Sequence, residues 1–369
     1  MKIASAEVAH LMTQWYTYIK ESAIPQAIAI KDEIEHALKD MEEDEYLLVF
    51  FQLLDFRHKL LTEEFPESSE HSYEKIKNLE EDIKKTNDSL QYFHYFFSGQ
   101  YHYYKKDFIN AIRFYKFAEE KLKSIGKEIE TAEFHYKIAV AYYYIKQNFF
   151  SLRHAETALD IFKAHEQEIY LTRKINCEMV LGANKFDLFR YNEAEAHYQK
   201  ALADAQSIDN QSLTGKAYHN IGISYAERKL YEKAEEYLRK AISIPEHLSS
   251  RVGINSVSDL TRVLYKQGAN DEAHSFLQKG ISMAQVADDG EYRAKFQLIK
   301  ALYEDGDLQT VSDSLEYLES RMLWPDVEDF AQDIADYFKE LKDDRNTVVY
   351  LEKVIHAKEQ ISKVTEELE

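Results

Sequence analysis

In the first part of the chain apolar positions recur with the period of a helix. The pattern predicts amphipathic helices over Ala6 to Lys20, Pro25 to Asp40 and Asp44 to Leu61. Pro25 suits a first helical turn, where its missing N–H is not needed, and the acids around Asp44 crowd a helix start, where the dipole favours negative charge. Pro66, Ser68 and Ser69 mark a linker over Thr62 to Ser72, and a further helix runs from Tyr73 to about Lys85. The organisation expected is a three-helix bundle over 1–65, a linker and connecting helix over 66–89, and a different architecture over 90–369.

That architecture is a repeat. Gly99 is followed by Ala111, Tyr115 and Ala118, and Gly182 by Ala194, Tyr198 and Ala201 at identical offsets. Gly222 gives Ala234, Leu238 and Ala241, with Pro245 where a second helix should stop. This is the tetratricopeptide pattern, with a small residue where helix A meets helix B and a small-aromatic-small stripe where the next repeat packs. Weaker copies centre on Ala139 and Thr261, and the segments Lys300 to Leu318 and Ala335 to Val354 are degenerate closing pairs, making about seven helix pairs. Equivalent positions lie mostly near 40 residues apart, beyond the usual ~34, so longer helices or connectors are expected. Breakers at Lys106-Asp107, Asp305-Gly306-Asp307 and Lys342-Asp343-Asp344 fall inside the pairs. The fold class expected is all-α, a bundle followed by a right-handed tetratricopeptide-repeat superhelix.

Composition supports this and narrows function. Ten Gly and 4 Pro in 369 residues are too few turn formers for sandwiches, barrels or doubly wound sheets. The net charge of −20 disfavours nucleic acid and anionic membrane as partners. No 18-residue apolar run exists, and Glu7, His10, Gln14 and Trp15 interrupt the start where a secretion signal would be apolar, so a cytoplasmic location is expected. Cys177 is alone and reads as a small buried hydrophobe. There is no Gly-rich phosphate loop, HExxH or paired-Cys motif, and His165-Glu166 lacks a second His, so no cofactor or metal of its own is expected. Binding is the default function, on a concave surface built from the A helices and suited to an extended peptide.

Counting from each repeat's small residue, the concave positions include Met179, Phe186 and Asp187, then Lys216, His219, Asn220 and Glu227, then Arg262, Tyr265, Lys266 and Glu304. Tyr143 occupies such a position too, beside a Tyr142 to Tyr144 run that otherwise reads as inter-repeat core. An amide such as Asn220 can donate to one peptide carbonyl and accept from the adjacent N–H, while Asp187 can pair with a basic ligand side chain. Read singly, Asn220 is equally a turn cap and Asp187 a solvated acid; together on one face they favour a ligand site.

The chain resembles the Rap family of Gram-positive bacterial quorum-sensing regulators. The resemblance is carried by Trp15-Tyr16, Met41-Glu42-Glu43-Asp44, Leu53-Leu54-Asp55-Phe56-Arg57-His58, Ala132-Glu133-Phe134-His135-Tyr136-Lys137, Asn220-Ile221-Gly222 and Asp326-Val327-Glu328-Asp329-Phe330, in order along nearly the full length. It implies a bundle that binds a response regulator, stimulating hydrolysis of its aspartyl phosphate or blocking its DNA-binding domain in pathways such as sporulation and competence. It also implies that a short re-imported Phr peptide, a pentapeptide or hexapeptide, occupies the groove and releases the target. On the resemblance, Asn220 matches the family's peptide-backbone Asn and Asp187 its acid for the peptide's basic residue, with Asn184 in the same stretch. Asp44 and Glu45 would contact the regulator, and any Mg²⁺ would be the regulator's. Glu45 stands where phosphatase members carry a water-orienting Gln. An ionised carboxylate there cannot donate a hydrogen bond, which leaves phosphatase activity open and makes Glu45 a candidate general base. Gln52 lies two turns on, about 10 Å away along the helix. The alternatives are a non-catalytic tetratricopeptide binding protein and a peptide-sensing transcriptional regulator. Against the last, residues 1–65 hold six Lys/Arg and thirteen Asp/Glu, a balance of −7 where a DNA reader needs a basic face.

Overall fold

The computed structural model describes residues 3–366 apart from 22, 63–66, 79, 124, 125, 127, 166 and 167, and divides into two compact units, Met1–Ala141 and Tyr142–Glu369. The first holds α1 (Ser5–Lys20), α2 (Ile24–Asp40), α3 (Glu45–Thr62), α4 (Glu67–Asn78), α5 (Glu80–Ile83), α6 (Asp88–Tyr104), α7 (Phe108–Leu122) and most of α8 (Glu128–Tyr144). The second holds α9 (Asn148–Ala164), α10 (Leu171–Asp187), α11 (Tyr191–Ser207), α12 (Gln211–Glu227), α13 (Tyr231–Ile242), α14 (Pro245–Leu248), α15 (Arg251–Lys266), α16 (Asn270–Val286), α17 (Gly290–Lys300), α18 (Leu308–Ser320), α19 (Trp324–Glu340) and α20 (Asp344–Glu366). The all-α expectation holds: among the described residues there is no strand, only one bridge between Ile3 and Met41. No described helix is long and apolar enough to cross a membrane.

In the first unit the early helices share a core with the pairs that follow. Trp15 is fully buried and its Nε1 donates to His58 Nδ1 at 3.1 Å. Burial, then the nearby Lys31, holds that imidazole below its ordinary pKa. Glu130 of α8 is buried and accepts from the Tyr16 hydroxyl at 2.7 Å and the Tyr92 hydroxyl at 3.1 Å, while Lys20 reaches its other oxygen at 3.5 Å. One carboxylate thereby pins α1 to both α6 and α8. Burial and the Glu130 charge raise both phenols well above their usual range.

The expected linker is shorter than the sequence suggests. Pro66 lies outside the described residues, α4 begins at Glu67, and the helix expected over Tyr73 to Lys85 is instead the end of α4 followed by α5.

Packing explains the repeat's offsets. A Cβ on Gly99 would come within 2.5 Å of the Tyr115 ring, one on Gly182 within 2.5 Å of Tyr198, and one on Gly222 within 2.7 Å of Leu238. Each A helix therefore meets its B helix through a residue without a side chain, sixteen positions before the ring or branched carbon that covers it. The period near 40 follows from helix length, since α10 and α11 have 17 residues each. The A-to-B turns each carry one left-handed residue: Lys106, Lys146, Phe189, Lys229, Gly268, Gly306 and Lys342. The hydrogen bonds Phe189 N–H to Phe186 C=O and Arg190 N–H to Lys185 C=O show how these turns close the last carbonyls of the preceding helix.

Candidate functional site

In the second unit Asp187, Glu227 and Lys266 each lie five residues after the small position of α10, α12 and α15, so they form a row along successive A helices. The row curves. Arg262 of α15 reaches past the next pair to α19, where Nε donates to Asp333 at 2.7 Å and Nη1 to Asp329 at 2.8 Å. Its guanidinium lies over the Phe330 ring at 4.7 Å, and Lys266 joins Asp333 at 2.7 Å. Helices two pairs apart meet this way only if their facing sides enclose a trough.

Asp187 lies in that trough with its side chain 11% exposed, and its Oδ2 accepts from Lys146 Nζ at 3.1 Å and Asn148 Nδ2 at 3.3 Å. Enclosure works against the Lys146 ammonium, but Asp187, and more weakly Glu328 and Asp329 of α19, hold its pKa above the ordinary value. The Tyr143 phenol is raised far above its usual value by burial, then by the Asp187 charge. Asn220 is half-buried, and among the described residues its amide has no hydrogen-bond partner. Glu227, seven residues on along the same helix face, has no ion pair among the described residues. Enclosure, then repulsion from Asp329 and later Asp333, pushes its carboxyl above the usual range, with Arg262 and Lys266 opposing.

Other expected residues face elsewhere. Asn184 is fully buried and its amide is occupied: Nδ2 donates to Ser151 Oγ and to the Val180 carbonyl, both at 2.8 Å, and Oδ1 accepts from Asn148 at 3.2 Å. It fastens α10 to α9 and positions Asn148, which in turn holds Asp187. Glu304 sits on a π-helical turn, Ala301–Asp305, and accepts from the Tyr265 hydroxyl and from His274 Nδ1. Met179 and His219 are buried rather than concave. His219 is covered because α14 inserts beside α12, seating His247 against Gly215, and both imidazoles meet the Ser256 hydroxyl, at 3.0 and 2.8 Å. Sequence reading missed the acidic partners of Arg262, although Asp326, Asp329, Asp333 and Asp336 recur at intervals of three and four along α19 and so share one face.

On α3, Asp44 caps the helix, its carboxylate accepting from the Leu47 N–H at 3.1 Å. Glu45, Tyr46, Leu48 and Gln52 are exposed, which leaves an acidic and apolar surface at the helix start. Among the described residues no three His, Cys, Asp or Glu gather as a metal site.

Residues 2–63 match the family model described as response regulator aspartate phosphatase H, N terminal, and residues 177–247 match the tetratricopeptide repeat model. Response regulator aspartate phosphatase I of Bacillus subtilis (strain 168) is 35% identical over 98% of this chain and 93% of its own. Regulatory protein RapF of the same organism is 33% identical over 95% and 94%. A crystal structure of a Rap protein complexed with competence and sporulation factor superposes with a TM-score of 0.90 at 34% identity, covering 98% of this chain and 99% of that one.

Proposed function

Because this chain belongs to the Rap family of response regulator aspartate phosphatases and regulatory proteins, we propose that it binds a bacterial response regulator through α3 and is switched by a short linear peptide held in the trough of the second unit. The observation that carries the peptide half is the Lys146–Asp187 pair. A cation of the chain itself already fills the place of the peptide's basic side chain, in a setting partly removed from water where such a pair is strong. Asn220, with its amide unpaired, supplies the donor and acceptor for the peptide backbone. The structure of a relative with competence and sporulation factor bound supports this reading.

The exposed start of α3 is the regulator-docking surface, with Asp44 shaping it as a cap and Glu45 at its head. Blocking the regulator is favoured over dephosphorylating it, because Glu45 presents a carboxylate, and no amide donor, toward an already anionic phosphoryl group. The Mg²⁺ of such a reaction comes with the regulator, and the protein acts in the cytoplasm, where the regulator is. The test follows phosphate loss from phosphorylated response regulators of the host with and without this protein and a candidate hexapeptide. Binding that the peptide reverses, with slow phosphate loss that rises in Glu45→Gln, is the expected outcome. Absence of any peptide-reversible regulator complex refutes the reading.

A further inference from the structure

In the second unit the repeat stack ends on an uncapped face. Counted from the left-handed turn residue, B helices carry apolar residues nine and thirteen places on: Ala155 and Leu159 in α9, Tyr198 and Leu202 in α11, Leu238 and Ile242 in α13. The following A helix covers them. Tyr198 lies against Ile221 and Tyr225 of α12, and Leu159 and Leu202 are 4% and 8% exposed. In α20 the same count from Lys342 gives Leu351 and Ile355, which are 39% and 58% exposed. The end of a solenoid ordinarily turns a polar face to water. Here the last pair keeps the residues on which a further helix packs.

Those residues belong to a longer stripe. Asp344, Val348, Leu351, Ile355 and Lys358 follow one another at steps of four, three, four and three, the spacing of a seam between two helices. Tyr350, Val354 and Ala357 point the other way and are buried, with Tyr350 stacked on Phe338 of α19 at 5.7 Å. Val348 is 54% exposed, so all three members of the stripe's apolar centre are open to water. Its ends carry opposite charges. Asp344 has no ion pair among the described residues, and Lys358, 62% exposed, reaches Glu328 only at 3.7 Å.

The stripe is complementary to itself. Laid antiparallel on a second α20 about a two-fold axis at Leu351, it sets Leu351 against Leu351, Val348 against Ile355, and Asp344 against Lys358 at both ends. Arg345 and Glu359, one place further round, oppose each other in the same register. A parallel pairing would instead set Asp344 on Asp344 and Lys358 on Lys358. We propose that two copies of this chain associate through α20 in the antiparallel register, each closing the other's open end. Such an interface is isologous, so it stops at two copies and does not grow into a filament. The seam is about 21 Å long at 1.5 Å per residue. That is the small end of stable interfaces, so exchange at micromolar concentration is expected. The contact needs neither a peptide nor a response regulator.

The test is sedimentation velocity of the full chain from nanomolar to high micromolar concentration. Wild type is expected to shift from one copy to two. Leu351→Glu and Ile355→Glu replace exposed side chains and leave the α19 contacts alone; each should weaken association by about tenfold or more, with helix content unchanged by circular dichroism. Asp344→Lys and Lys358→Asp should each weaken it when alone. An equimolar mixture of those two variants should recover it, because only the mixed pair sets opposite charges at both ends of the seam. A single copy at every concentration overturns the proposal and leaves the stripe to a helix of another protein. Association undiminished in Leu351→Glu and Ile355→Glu, or a mixture no stronger than its components, overturns it as well.

Discussion

Replacing Asp187 by Ala removes the carboxylate that Lys146 and Asn148 hold and, under the proposed function, the acid offered to a peptide's basic side chain. A hydrogen bond to a charged group contributes about 1.5–3 kcal/mol. With the Asp187 side chain only 11% exposed, solvent screens little of this. At ~1.4 kcal/mol per tenfold, Asp187→Ala should weaken a peptide carrying one Arg by roughly ten- to a hundredfold. Lys146 competes for the same oxygen, so Lys146→Met should act in the opposite direction and tighten binding. Fluorescence anisotropy with a labelled basic hexapeptide, and with its counterpart carrying norleucine for Arg, completes a double-mutant cycle. The norleucine peptide should bind weakly to wild type and lose nothing further in Asp187→Ala. Asn220→Ala should weaken both peptides alike, since a backbone clamp is indifferent to side chains. Equal affinity of the Arg peptide for wild type and Asp187→Ala, with both folded, refutes the assignment.

Two further outcomes concern stability. Gly182→Ala puts a methyl within 2.5 Å of the buried Tyr198 ring, and overpacking of this kind costs about 1–3 kcal/mol; a urea midpoint equal to wild type would contradict the packing described. His219 and His247 are held down to about 3 and about 4, in each case chiefly by burial, with His247 and Lys216 adding at His219 and Lys216 at His247. Both are neutral when folded and take up protons when unfolded. They therefore leave stability unchanged above their ordinary value of ~6.5 and lower it as pH falls toward those folded values, by up to ~1.4 kcal/mol per pH unit each. His219→Gln should make the loss of stability between about pH 6.5 and 5 shallower, and identical slopes would show that the imidazole is not what titrates.

The paired helices were legible because their cause is local: a small residue sixteen places before a ring or branched side chain can be read from one chain, and the glycines at 99, 182 and 222 sit under their partners as the spacing requires. Which way a given A-helix residue points was less legible. Counting could not foresee the burial of Asn184 and His219, since it depends on what the neighbouring helix brings. Ser151 and Asn148 close over Asn184, and the inserted α14 closes over His219. The Arg262 network spans about 70 residues of sequence and exists through the curvature of the row, which no spacing encodes.

Glu130 has one consequence for recombination. Any exchange of the early helices between relatives that cuts after α3 would pair a foreign Tyr16 and Lys20 with a resident carboxylate, and would graft Tyr16, Phe50 and Phe56 onto the rings of Phe93 and Tyr101, selected for other shapes. Chimeras between relatives should instead be joined inside α8, near residue 141, so that the early helices travel together with the acid that clasps them.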